Sequence, residues 1–249
     1  MLEVNDISVS FGGLKALSNV SFKIDCGINA LIGPNGAGKT TLFNVISGFL
    51  KPNTGYVKYN DFDITALPPY EIFKRGISRT FQNLNLIKEV SLKENLYLGI
   101  IEKMKPSLLK DMLRTSKPFW KNVEAKIEEV MEITNVSKWG DLKPESAPYG
   151  VLKNFELARA LISQPSLLLL DEPAAGLNNS EKENLANIIN KITSMGIDVL
   201  MVEHDMSFVS NLSKYVVCLN FGCVIGYGTY KEIRENEDVI KAYLGDIDA

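Results

Sequence analysis

The sequence predicts an α/β fold: a core with a parallel sheet, an antiparallel β-subdomain at the N-terminus and an α-helical subdomain inserted in the middle. Three observations predict it. Residues 2–24 alternate apolar and polar (Leu2, Val4, Ile7 and Val9, then Val20, Phe22 and Ile24), which is the period of half-buried strands. Two short apolar runs, 167–170 and 199–202, are each followed by an acidic residue and bracket a helical stretch, the pattern of a β-α-β unit whose strands are buried on both faces. Across 92–162 the period changes to that of a helix, with Val123, Ile127, Val130 and Met131 at i, i+4, i+7 and i+8.

The remaining elements follow in chain order. The first 25 residues hold two or three antiparallel strands, with Gly12-Gly13 between them. A strand over 28–32 stops at Gly33, and a glycine-rich loop leads into a helix over 39–49 that ends near Gly48 and Pro52. A further strand pair is expected within 55–64. The helix of the β-α-β unit runs over 180–194, opened by Asn179 or Ser180 and closed at Gly196. Strands at 216–219 and 224–227 and a charged helix over 230–243 finish the chain. With 249 residues, 45% hydrophobic and 23% charged, the chain has material for one full core. It reads as a single domain, 1–249, with the helical subdomain at about 88–160.

Composition also excludes. Lys+Arg 27 against Asp+Glu 30 gives a net charge of −3, with basic residues scattered, so nucleic acid is not an expected partner. The three cysteines, Cys26, Cys218 and Cys223, are odd in number and lack metal-ligand spacing, and they read as free buried thiols used for packing. The N-terminus carries neither a basic region nor an apolar stretch of the secretory kind. No apolar run approaches the ~18–20 residues that a bilayer span needs, so any membrane role is expected to be that of a peripheral subunit.

The strongest chemical signal is Gly33-Pro34-Asn35-Gly36-Ala37-Gly38-Lys39-Thr40, followed by Thr41, which fills G-x-x-x-x-G-K-[ST] between a predicted strand and a predicted helix. Glycines let successive backbone N–H groups turn around a polyphosphate. The helix N-terminus adds partial positive charge, Lys39 reaches the terminal phosphates and Thr40 is placed to hold Mg²⁺. Asp171 and Glu172 end a buried strand, where the ligand crevice of such sheets lies. Asp171 is expected to support Mg²⁺ through water, and Glu172 to orient or deprotonate a water attacking the γ-phosphate. Glu203-His204-Asp205 ends the neighbouring strand in the same manner, and His204 is the only histidine in the chain.

Taken in order, the P-loop, Gln82 in Thr80-Phe81-Gln82-Asn83, the Asp171-Glu172-Pro173 run, Ala175-Gly176-Leu177-Asn178 and Glu203-His204-Asp205 resemble the ATP-binding subunits of ABC transporters over essentially the whole chain. That resemblance implies a P-loop ABC ATPase core and a Mg²⁺-dependent ATPase coupled to a transmembrane permease. It also implies that Gln82 couples Mg²⁺ and the attacking water to that permease, that His204 contacts the γ-phosphate, and that Phe11 stacks on adenine. Phe11-Gly12-Gly13-Leu14, Gly76-Ile77-Ser78-Arg79-Thr80, Val202-Glu203-His204-Asp205-Met206, the helical stretch 108–114 and the final Ala242-Tyr243-Leu244-Gly245 resemble the ATPases of branched-chain amino-acid importers. Importers of urea or amides and the ATPase of lipopolysaccharide export share several of these stretches. A non-transport ATP switch is a further alternative. The expected place is the cytoplasmic face of the inner membrane, with an external binding protein delivering substrate to the permease.

One departure stands out. The family's signature loop, Leu-Ser-Gly-Gly-Gln, is represented here by Ala147-Pro148-Tyr149-Gly150-Val151. Pro148 stands where a serine hydroxyl and N–H would grip a partner's γ-phosphate, and Val151 stands where an amide would. In a head-to-tail dimer each nucleotide lies between one subunit's P-loop and the other's signature. A second, different ATPase with an intact signature would complete the Lys39, Glu172 and His204 set of this chain, so a heterodimer is expected over a homodimer.

Overall fold

The structure, a computed structural model, describes residues 1–80, 84, 86–101 and 117–244. The alternating N-terminus forms β1 (Leu2–Phe11) and β2 (Leu14–Ile24), an antiparallel hairpin with Val4 opposite Phe22. β4 (Thr54–Tyr59) pairs with β1, and the two-residue β5 (Phe62–Asp63) with β4, giving a four-stranded antiparallel sheet ordered β2-β1-β4-β5. The subdomain therefore takes two strands from the first 25 residues and the expected pair from the next stretch.

The second sheet contains β3 (Ile28–Ile32), β6 (Ile77–Arg79), β7 (Leu167–Asp171), β8 (Asp198–Val202), β9 (Tyr215–Asn220) and β10 (Cys223–Gly228). Its order is β10-β9-β3-β8-β7-β6, parallel throughout except where β10 folds back on β9. β3 and β7 are buried at every position, as strands covered on both faces must be. Successive residues point to opposite layers. Leu31, Leu169, Leu200 and Leu219 pack with the antiparallel sheet and α1 (Lys39–Ile46), while Ala30, Ile32, Leu168, Leu170 and Met201 pack under the other helices. The Tyr59 hydroxyl donates to Ser166 Oγ at 2.8 Å and ties the two sheets together.

The other helices are α2 (Pro69–Lys74), α3 (Leu92–Ile101), α4 (Lys117–Ile133), α5 (Tyr149–Leu161), α6 (Asn179–Ser194), α7 (Met206–Leu212), α8 (Tyr230–Glu235) and α9 (Glu237–Leu244). Four expectations need correction. α1 stops at Ile46, because Ser47 Oγ donates to Phe43 O and Gly48 turns left-handed at φ +77°. The N-cap of α6 is Asn178, whose side chain accepts from Glu181 N while the Glu181 carboxylate accepts from Asn178 N, a reciprocal capping box. The C-terminal helix is broken at Asn236, whose Oδ1 accepts from Asp238 N and Val239 N and so caps α9 as a separate helix. The cysteines are all free, but only Cys218 is buried: Cys26 lies in the turn before β3 and Cys223 opens the edge strand β10. Burial pushes the Cys218 thiol up to about 12. No described helix is long and apolar enough to cross a membrane.

Candidate functional site

The parallel order brings the carboxyl ends of β3, β8, β7 and β6 to one edge, where Gly33, Glu203 and Thr80 follow their strands and Asp171 ends β7. Gly33 passes so close to β9 that a Cβ there would lie 2.2 Å from Leu219 O, and its φ of +149° suits glycine. Gly38 caps α1 at φ +101° against Ala16 O, so the first N–H groups of α1 are delivered at the end of the loop. Lys39 is buried at 6% exposure, and its ammonium donates to Gly33 O at 2.7 Å and Pro34 O at 2.8 Å. Burial pulls its pKa below the ordinary lysine value, and the charge of Glu172 pulls the other way. Thr40 is exposed beside it and Thr41 half-buried.

Gly38, Lys39, Thr40 and Thr41 line a cleft of about 400 Å³ together with Phe11, Glu172, His204 and Phe221. Glu172 adopts a left-handed φ of +48°, and its N–H donates to Val202 O at 3.0 Å, fixing the chain where β7 ends. His204 Nε2 lies 3.2 Å from Glu172 Oε1. Glu203 is buried and turned away from this pair. It accepts from Ala174 N at 2.7 Å and His204 N at 3.1 Å, while its burial raises its pKa. Asp205 caps α7 by accepting from Ser207 N and Phe208 N, and its other oxygen holds Lys182 at 2.6 Å. The three-residue motif thus divides into a structural staple, a cleft residue and a helix cap.

Asp171 is 8% exposed, with Oδ2 taken by Arg79 at 2.8 Å. The same guanidinium donates to Asn44 Oδ1 and Ser47 Oγ, so one cation joins β6, α1 and β7. The sequence reading assigned Arg79 no chemical role, because its partners lie far from it in the chain. Gln82 lies outside the described residues. The described residues hold no group of three or more His, Cys, Asp or Glu able to cage a metal ion. The exposed Thr40 hydroxyl and a single buried carboxylate suit Mg²⁺ carried in on phosphate oxygens instead.

The Pro148 to Val151 segment is separate from this cleft. Pro148 is the N-cap of α5 and makes no side-chain capping bond, Tyr149 is exposed and Gly150 is buried. A Cβ on Gly150 would lie 2.5 Å from Glu181 Oε1, so a carboxylate of α6 stands against the start of α5. Val151 is half-buried and its N–H donates to Pro148 O.

Residues 17–175 match the ABC transporter family model, and residues 223–249 match that of the branched-chain amino acid ATP-binding cassette transporter C-terminus. The chain is 37% identical over 252 residues to the high-affinity branched-chain amino acid transport ATP-binding protein BraF of Pseudomonas aeruginosa, covering 99% of this chain and 98% of that one. It is 36% identical to LivG of Escherichia coli with the same coverage. Among solved structures, a nucleotide-free ATP-binding cassette from an ABC transporter superposes with a TM-score of 0.87 at 31% identity, covering 99% of both chains. The ADP conformation of such a cassette superposes equally well. The chain belongs to the ATP-binding subunits of ABC transporters, whose hydrolysis of ATP drives transport.

Proposed function

We propose that this chain powers the import of branched-chain amino acids, hydrolysing ATP with Mg²⁺ at the cytoplasmic face of the inner membrane. The observation that carries this reading is the likeness to BraF and LivG over both chains' full lengths, extended by the separate C-terminal match. In this reading the domain is single, and α3 to α5 make up the described part of a helical subdomain at about 88–160.

The roles follow from the cleft. Lys39 and the N–H groups opening α1 bind the phosphates. Mg²⁺, when bound, would neutralise phosphate charge, with Thr40 and Gln82 assigned as its ligands in this reading and Asp171 acting through water. Glu172 takes a proton from the attacking water, and His204, whose Nε2 lies 3.2 Å from Glu172 Oε1, contacts the γ-phosphate. Phe11, 52% exposed at the end of β1, packs against the base.

The start of α5 offers no hydroxyl or amide at Pro148 and Val151, so a second ATPase with a full signature completes the site of this chain. Purification of the Glu172→Gln protein with ATP and Mg²⁺ from its own membranes tests the assembly. Recovery of a permease with a second, different ATPase is expected, whereas recovery of a homodimer on the permease overturns the heterodimer. Reconstitution with that permease and its binding protein is expected to give ATP-dependent leucine uptake, and ATP turnover stimulated by other solutes but not by leucine, isoleucine or valine would sink the substrate class.

A further inference from the structure

Two hairpin tips flank the P-loop, and each carries a phenylalanine followed by a left-handed glycine. Phe11-Gly12 closes β1 on β2, with Gly12 at φ +57°. Phe221-Gly222 closes β9 on β10, with φ +44° and +76°. Left-handed conformation at both central residues is the turn that favours Asn-Gly or Asp-Gly, and a bulky aromatic at its first position is strained.

The strain is held in place from two sides. Gly222 N donates to Ala37 O in the P-loop at 3.0 Å, and Gly222 O accepts from Ser18 N of β2 at 2.8 Å. A Cβ on Gly222 would lie 2.6 Å from Ala16 O. The tip is therefore clamped between the P-loop and the hairpin that bears Phe11. Phe221 itself gains nothing from burial, since at 86% it is the most exposed large hydrophobic side chain among the described residues. It lines the same cleft as Phe11, Lys39 and His204, and also borders a second cleft of about 460 Å³ behind the P-loop, closed by Asp238 and Lys241 of α9. A side chain that costs backbone strain, buries little and is fixed rigidly at the mouth of a ligand cleft fits a contact made when that ligand binds.

We propose that Phe221 is a second aromatic contact for the nucleotide, acting with Phe11 on the purine base. A flat, weakly polar ring system is what an aromatic face recognises, whereas the triphosphate is taken by Lys39 and the N–H groups of α1. The inference rests on the reading of this cleft as the ATP site and adds affinity for the base that the P-loop cannot supply.

Phe221→Asn tests it, because Asn accepts the left-handed turn and removes only the ring. Calorimetric titration of the isolated full chain with Mg·ATP and with Mg·tripolyphosphate separates base from phosphate recognition. The variant is expected to melt no lower than the parent, to bind ATP about tenfold more weakly and to bind tripolyphosphate unchanged. Phe221→Trp is expected to keep the ATP affinity. ATP affinity within about twofold of the parent overturns the proposal and leaves the ring to a subunit contact; so does an equal loss for tripolyphosphate, which places the effect in the P-loop. A parent chain that binds neither ligand undoes the assignment of the cleft itself, a result distinct from either.

Discussion

The carboxyl edge of the parallel sheet and the start of α5 both present backbone N–H groups at a helix N-terminus, yet they are built very differently. At α1 the N–H groups are joined by a buried lysine, an exposed threonine and the Glu172 and His204 pair. At α5 the capping residue is a proline, no side chain caps the helix, and Glu181 stands against Gly150. A helix N-terminus favours an anion wherever it occurs. The contrast teaches that side chains which donate, or which take a proton, decide whether such an end also does chemistry.

The largest expected effect breaks the richer side. Glu172→Gln removes the base while keeping shape, and steady-state turnover of the assembled complex is expected to fall roughly 10²–10⁴-fold with ATP binding retained. Unchanged turnover would move catalysis to another group. Next comes the buried pair beneath it. Arg79→Met leaves Asp171 charged and without its guanidinium, which is expected to cost about 3–5 kcal/mol of stability in a denaturant titration. A loss under about 1 kcal/mol would mean that water replaces the guanidinium.

Sharpening the poorer side is expected to do less. Pro148→Ser with Val151→Gln restores two donors, each worth about 1.5–3 kcal/mol to a bound phosphate, so the chain alone should gain roughly tenfold or more in ATPase rate at high protein concentration. No gain would show that Gly150 and the helix N-terminus already suffice, or that Glu181 repels the phosphate regardless. The smallest effect concerns the cap that sets the end of the His204 segment. Asp205→Ala is expected to cost about 1 kcal/mol near neutral pH. The hydrogen bond from Lys182 holds the Asp205 carboxyl below its ordinary 3.8, so its contribution is present above that value and is lost as the pH falls through the lowered one. Thermal melts of parent and variant should therefore converge only in strong acid.

The sequence announced elements wherever period and punctuation were local. β3 and β7 were legible because apolar runs ended at Gly33 and Asp171. β6 was not, since three residues with two buried make no period and their strand character comes from pairing with β7. α7 was hidden because Asp205, read as part of a chemical motif, is its N-cap. Of the site, the P-loop, Glu172 and His204 could be named from spacing, and the structure gathers them in one cleft with Phe11. Arg79 could not be matched to Asp171, 92 positions away, by any local signal. Phe221 left a trace only in hindsight, as a bulky residue where a tight turn before Gly222 asks for Asn.

The place of β3 in its sheet has a consequence for synthesis. Its two neighbours are β8 and β9, and the Gly27 N–H just before it bonds Asp198 across 171 positions of chain. A ribosome delivers the Lys39 loop early, but the strand that must hold it upright stays unpaired until about four-fifths of the polypeptide has emerged. Nascent chains and truncations ending before residue 198 thus carry the phosphate-binding sequence without the framework that shapes it, and acquiring nucleotide becomes a late checkpoint on completed protein.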